Sequence, residues 1–258
     1  MQLLGWLIPF RSDTVPLSPQ FVQLWTIWVE FQFYLIFPFL LGFSRRFGAR
    51  YLWGLLALLV VMRALVYLSL GSVRFIAYET IFGRLDQFLV GMLLARAWLA
   101  HRSGPPSLSP LWLLPAGAGV MLGLHVFSLH VGFSELASPL WIIWPGIEAA
   151  LWAAFLWAYL AARWPGPLAL RQPLDRGLAA LGAISFSTYV MHNLVISAIN
   201  ARLPVPSFLQ LIPGLWGPIS HAIAAGVGVV LPLVLLVSAL TYHLIERPFM
   251  ALRGGYLK

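Results

Sequence analysis

Cysteine is absent from this chain, which excludes disulfides, thiolate metal sites and a cysteine nucleophile. Charge is scarce too: Asp, Glu, Lys and Arg make up 9% of the 258 residues, against about 25% in soluble domains. So little charge cannot cover a water-facing surface, whereas a hydrophobic share of 60% and a mean hydropathy of +0.86 suit a chain solvated by lipid. Acidic residues are the rarest, eight against sixteen basic ones, and all of the latter except Lys258 are Arg. The net charge of +8 sits in short loops between apolar runs, which favours an anionic lipid surface or anionic ligand over nucleic acid as partner. The apolar stretch from Met1 to Phe10 lacks a basic leader and a small-residue cleavage site, so it does not read as a signal peptide. Tandem repeats and low-complexity tracts are also missing, and no stretch leaves room for a separate soluble domain.

What remains is apolar and long. A helix crossing a bilayer needs about 20 apolar residues, because backbone groups in lipid must be satisfied within the segment. Seven stretches qualify: Val22–Leu41, Tyr51–Leu70, Gly83–Ala100, Leu111–His130, Leu140–Ala161, Leu178–Ile199 and Ile219–Ile245. The pattern predicts a single all-α membrane domain over 1–258, a polytopic bundle of about seven transmembrane helices with an N-terminal segment 1–21 and a tail 246–258. Pro and Gly punctuate the short connections, as in Ser103-Gly104-Pro105-Pro106 and Pro204-Val205-Pro206. On alternate sides of these spans, one set of loops collects Arg45, Arg46, Arg50, Arg96, Arg102, Arg163, Arg171, Arg176, Arg247, Arg253 and Lys258. The other set holds Arg11, Arg74, Arg84 and Arg202, so the positive-inside bias places the C-terminus in the cytoplasm and the N-terminus outside.

Several spans carry ionisable residues, each costing roughly 2.5 to 3.5 kcal/mol at a helix centre unless it finds a partner or a task. Counting about 1.5 Å of rise per residue from the outer helix ends puts Glu30, Arg63, His125, Glu148 and His192 at one depth, with Arg84 and Asp86 nearer the surface. One reading is a set of neutralising pairs, such as Glu30 with Arg63 and Asp86 or Glu148 with another Arg. The other is a polar chamber. Arg84 and Asp86 stand two apart, share no helix face and must find separate partners. His125 and His130 read as packing residues, while Ser185, Ser187, Thr188, Tyr189 and Asn193 surround His192 with polar groups. Tyr242 to Pro248 forms a second polar group, readable as a helix stop anchored by Arg247.

Four segments, in order, resemble the acyltransferase-3 family. Trp28-Val29-Glu30-Phe31-Gln32-Phe33-Tyr34-Leu35, followed by Pro38, resembles its Val-Glu-Glu-Gln-Phe-Tyr signature, although Phe31 stands where the family has a second Glu. Arg84-Leu85-Asp86-Gln87-Phe88 resembles an Arg-x-Asp-x-Phe helix, and Ile184 to His192 an Ile-Ser-Tyr-Ser-x-Tyr-x-x-His stretch. Tyr242, Ile245, Glu246 and Pro248 are similar to the closing Tyr-x-x-Ile-Glu-x-Pro. The family's first helix bears an Arg or Lys followed eleven positions later by a His, the proposed base; no such pair occurs here. By that resemblance the chain is expected to lack three N-terminal helices of ten and to depend on such a segment for full activity.

The resemblance implies an O-acyltransferase of the bacterial inner membrane. It would move an acyl group, acetyl being expected, from acyl-CoA to a hydroxyl of an extracytoplasmic glycan or glycolipid, with no permanently bound cofactor and no metal. His192 is then the candidate base and Glu30 its orienting partner. Arg84, Asp86, Arg63, Tyr34 and Glu148 are candidates for the acceptor side, and Tyr242, Glu246 and Arg247 for structure or the donor side. The competing reading from the residues is a secondary transporter or flippase whose charged layer is a substrate path, and a third is a non-catalytic membrane partner.

Overall fold

In the computed structural model, residues 24–101, 107–130, 138–163, 168–202 and 226–252 are described. They fall into two compact units, one within 25–163 and one within 168–252. Each is treated by itself.

The first unit is built from α1 (Trp25–Phe47), α2 (Ala49–Leu70), the short α3 (Arg74–Glu79), α4 (Ile81–Ala100), α5 (Leu113–His130) and α6 (Trp144–Ala161). Short 3-10 turns, Pro110–Trp112 and Pro139–Ile142, lead into α5 and α6, each capped by a serine hydroxyl that accepts from the backbone. Glycine ends the first two helices. Gly48 and Gly71 have φ of 76° and 69°, a conformation that costs any residue with a Cβ, and their N–H groups close onto Ser44 and Tyr67 carbonyls at 2.9 and 2.8 Å. Arg45 and Arg46 fill the last turn of α1, where they complement the negative helix end.

Packing centres on α4, which touches α1, α2, α3 and α6. Val29, Phe33 and Leu40 of α1, Leu52 and Leu59 of α2 and Ile81 and Leu89 of α4 form the main buried cluster. A second cluster joins Val73, Ala77 and Trp141 below the α3 turn. Gly83 decides the local path there: a Cβ on it would overlap the backbone of Ala77, so only glycine lets α3 fold back directly onto α4.

The second unit holds α7 (Leu168–Ala183), α8 (Ser185–Arg202) and one long run formed by a π-helical turn (Gly226–Val230), α9 (Leu231–Thr241), a second π turn (Tyr242–Glu246) and α10 (Arg247–Ala251). Val195 and Ile199 of α8 bury against Val234 of α9. The expected span over 178–199 is not one straight helix: segments 175–183 and 185–200 meet at Ile184 with a bend of 64°. At the break Ser185 Oγ donates to the Gly182 carbonyl at 2.7 Å, a backward bond that competes with the helical ladder.

Every regular element among the described residues is helical, and the chain is an integral membrane protein. Four helices are long and apolar enough to cross a bilayer (25–47, 49–70, 110–129 and 226–251), and a fifth if the bent pair counts as one. Of the expected seven, the described residues thus support four or five by length and composition. α4 falls short because it carries Arg84, Asp86 and Arg96, and α6 because it carries Glu148 and three tryptophans. The part of the last expected span over 219–225, the segment 1–21 and residues 253–258 of the tail lie outside the described residues.

Candidate functional site

The polar centre of the first unit begins with a fully buried ion pair. Arg63 of α2 and Asp86 of α4 are 0% and 1% exposed. Two parallel bonds join them, from Nη1 to Oδ1 at 2.9 Å and from Nη2 to Oδ2 at 2.7 Å, and Arg63 Nε donates to the Ile142 carbonyl at 2.8 Å. This planar, two-pronged geometry is what a guanidinium offers and an ammonium does not. Gly146 closes the fourth side, since a Cβ there would stand 3.3 Å from Asp86 Oδ2. The pair thus ties α2, α4 and the start of α6 into one rigid block. It is a clasp holding the site.

Beside it on α4 and α6, a looser cluster is open to visitors. Arg84 and Gln87, three apart on one face of α4, both point to Glu148 of α6: Arg84 Nη1 lies 3.6 Å from Oε2 and Gln87 Nε2 donates to the same oxygen at 3.2 Å. Arg84 and Glu148 side chains are 16% and 22% exposed. Aromatic rings set the guanidinium plane, with Tyr78 4.4 Å and Trp25 5.6 Å from its carbon, while Nε donates to the Tyr78 carbonyl at 3.0 Å. A partly exposed carboxylate and guanidinium held by aromatic walls can bind hydroxyls or an anion and can stabilise developing charge.

Within the first unit, the remaining expected residues stand apart from this cluster. Glu30 does not pair with Arg63: it is exposed on α1, whose Val29 and Phe33 take the buried face. Tyr34 is 63% exposed and His125 is exposed on α5, so neither joins the cluster. His130's side chain lies outside the described residues. In the second unit, His192 Nδ1 lies 2.7 Å from the Tyr189 carbonyl. A carbonyl only accepts, so this bond assigns the proton to Nδ1 and leaves the Nε2 lone pair free in the neutral ring. Glu246 accepts from the buried Ser187 hydroxyl at 2.8 Å. Tyr242 meets His243 edge-on at 5.1 Å between ring centres, and Arg247 is exposed at the start of α10.

A family model described as an acyltransferase domain matches residues 1–238, over nine-tenths of the chain. The chain belongs to the acyltransferase-3 family. Membership places it among the membrane acyltransferases. Neither the curated proteins nor the solved structures give a match.

For a member of this family, the placement of the four sequence motifs is informative. They meet in pairs. Phe33 from the first stacks on Phe88 from the second, with ring centres 3.8 Å apart and planes at 12°, while Ser187 from the third bonds Glu246 from the fourth, which lies beyond the matched residues. Sequence reasoning missed Gln87, Tyr78, Trp25 and the Ile142 carbonyl. Gln87 had a signal, its three-residue spacing from Arg84; a backbone carbonyl has none.

Proposed function

We propose that this protein transfers an acyl group, acetyl in the simplest case, from acyl-CoA to a hydroxyl of an extracytoplasmic glycan or glycolipid. The observation that carries the reading is the partly exposed Arg84–Gln87–Glu148 cluster mounted on the buried Arg63–Asp86 clasp. In the reaction, the acceptor oxygen attacks the thioester carbonyl, the C–S bond breaks and the CoA thiolate leaves. The hydroxyl proton goes to His192 Nε2 and returns to the thiolate. Glu30, exposed and without an ion-pair partner among the described residues, orients the acceptor hydroxyl. Arg84 and Glu148 hold the acceptor, with Tyr34 at its edge, and Arg63 and Asp86 position them. Exposed Arg45, Arg46, Arg50 and Arg247 face the donor phosphates in the cytoplasm.

Membranes carrying the protein, expressed alone and together with a helical segment bearing the family's Arg-to-His motif, test this with acyl-labelled acetyl-CoA. Label is expected in the glycan or lipid fraction. His192→Ala and Glu30→Ala are expected to lower transfer by about 10² to 10⁴-fold, the range of a lost general base or of a group that orients the hydroxyl it deprotonates; transfer unchanged in both removes them from the mechanism. The broken helix at Ile184 favours a second reading, a transporter or flippase. Movement of a sugar-linked substrate across sealed vesicles without acyl-CoA, with no label transferred in either arm, decides for it.

A further inference from the structure

The first unit also carries an apolar groove of about 970 Å³ between α2, α4 and α6, which reaches the Asp86 clasp at Gly146. It runs from Ala49, Ala100 and Trp157 at one end to Leu56, Val90 and Gly146 at the other, so it is roughly 15 Å long at 1.5 Å per helical residue. Its lining mixes six alanines with leucines, Val90, Trp53 and Trp157, an apolar surface suited to a hydrocarbon chain.

The charged residue of the lining is Arg96. Arg96 lines the groove and donates Nη1 to the Ser44 carbonyl and hydroxyl at 3.2 and 3.3 Å, with no acidic partner among the described residues. Arg45, Arg46, Arg50 and Arg163 cap the neighbouring helix ends and are exposed. The described acids of this unit are Glu30, Glu79, Asp86 and Glu148, of which Asp86 and Glu148 belong to the cluster at the far end. A chain-wide apolar slot that opens beside uncompensated guanidinium groups is complementary to one molecule class of a bilayer, an amphiphile with a hydrocarbon chain and an anionic head.

We infer that this groove is a binding site for an anionic phospholipid of the leaflet at the Arg45–Arg50 end, with one acyl chain along the alanines and the phosphate at Arg96. This does not depend on the acyltransferase reading, only on the membrane one. Native mass spectrometry of the full chain in detergent, with dioleoyl-phosphatidylglycerol or dioleoyl-phosphatidylcholine added, tests it. One phosphatidylglycerol is expected to be retained per chain, about tenfold more tightly than phosphatidylcholine, the worth of one charge-assisted contact. Arg96→Ala should erase that preference, whereas Ser44→Ala, which removes the hydroxyl partner and keeps the charge, should preserve it. Ala153→Leu should reduce retention of both lipids while the protein keeps its melting temperature within a few degrees. Equal retention of the two lipids, or unchanged retention in Ala153→Leu, overturns the proposal and gives the groove to another part of this chain or to a second protein.

Discussion

Arg63 places a guanidinium where no water reaches it, and its stability rests on partners on two other segments. Breaking a buried pair by removing one member leaves an uncompensated charge and costs about 3 to 5 kcal/mol, while replacing both with apolar groups is often nearly neutral. Arg63→Met is therefore expected to lower the melting temperature in detergent sharply. The double change Arg63→Met with Asp86→Leu is expected to recover most of it, and tryptophan fluorescence during heating measures both. Glu148 behaves differently because it is partly exposed and loosely paired. Glu148→Gln keeps an oxygen for Gln87 and should leave the melting temperature nearly unchanged, while acyl transfer falls by about 100-fold, as when one charge-stabilising group is lost. The contrast between Asp86 and Glu148 was only half legible. Residue type and spacing showed that Arg84 and Asp86 look in different directions, and they do. Depth along a helix, however, says nothing about the angle around it, so Glu30 read as the partner of Arg63 although it stands about 100° around α1 from the buried Val29.

Elements are shaped here by small and hydroxylated residues more than by the apolar pattern. Gly83 brings α3 against α4, and this approach lets Arg84 Nε reach the Tyr78 carbonyl. Gly83→Ala must push the two backbones apart. It is expected to release Arg84 from Tyr78 and to reduce both folded yield and transfer, whereas Gly91→Ala on the same helix, where a Cβ meets nothing within 4 Å, should be silent or slightly stabilising. Binding of a fluorescent maleimide to Phe82→Cys, in a chain with no other cysteine, reports the opening of the α3–α4 turn. In the second unit, Ser187→Ala leaves a Glu246 oxygen without its donor at the second π turn, a loss of about 1 to 3 kcal/mol of stability. Apolar run length located α2, α5 and α6 within a few residues. It could not show the break at Ile184, because a hydroxyl that bonds backward to a carbonyl leaves the run's composition unchanged.

At the scale of the whole chain, the first unit is polar in a way that a membrane can read. Ala49, Ala100 and Trp157 meet at the end of the groove that holds Arg96, so α2 starts where α4 and α6 stop, and the cationic loops gather at one end. Charge alternation in the sequence foresaw that gathering, because connections between antiparallel spans must return to the same face. It leads to a definite orientation. The Arg45–Arg50 end should face the cytoplasm, with Leu70 at the opposite face. The absence of cysteine makes this directly measurable, since any introduced thiol is the only one. Leu70 is 73% exposed and His101 is exposed just past α4, so neither substitution disturbs the core. In intact cells, a membrane-impermeant maleimide is expected to label Leu70→Cys and to spare His101→Cys until the membrane is opened. Labelling in the reverse order would place Arg84 and Glu148 on the cytoplasmic side, and acceptor hydroxyls would then have to be sought there.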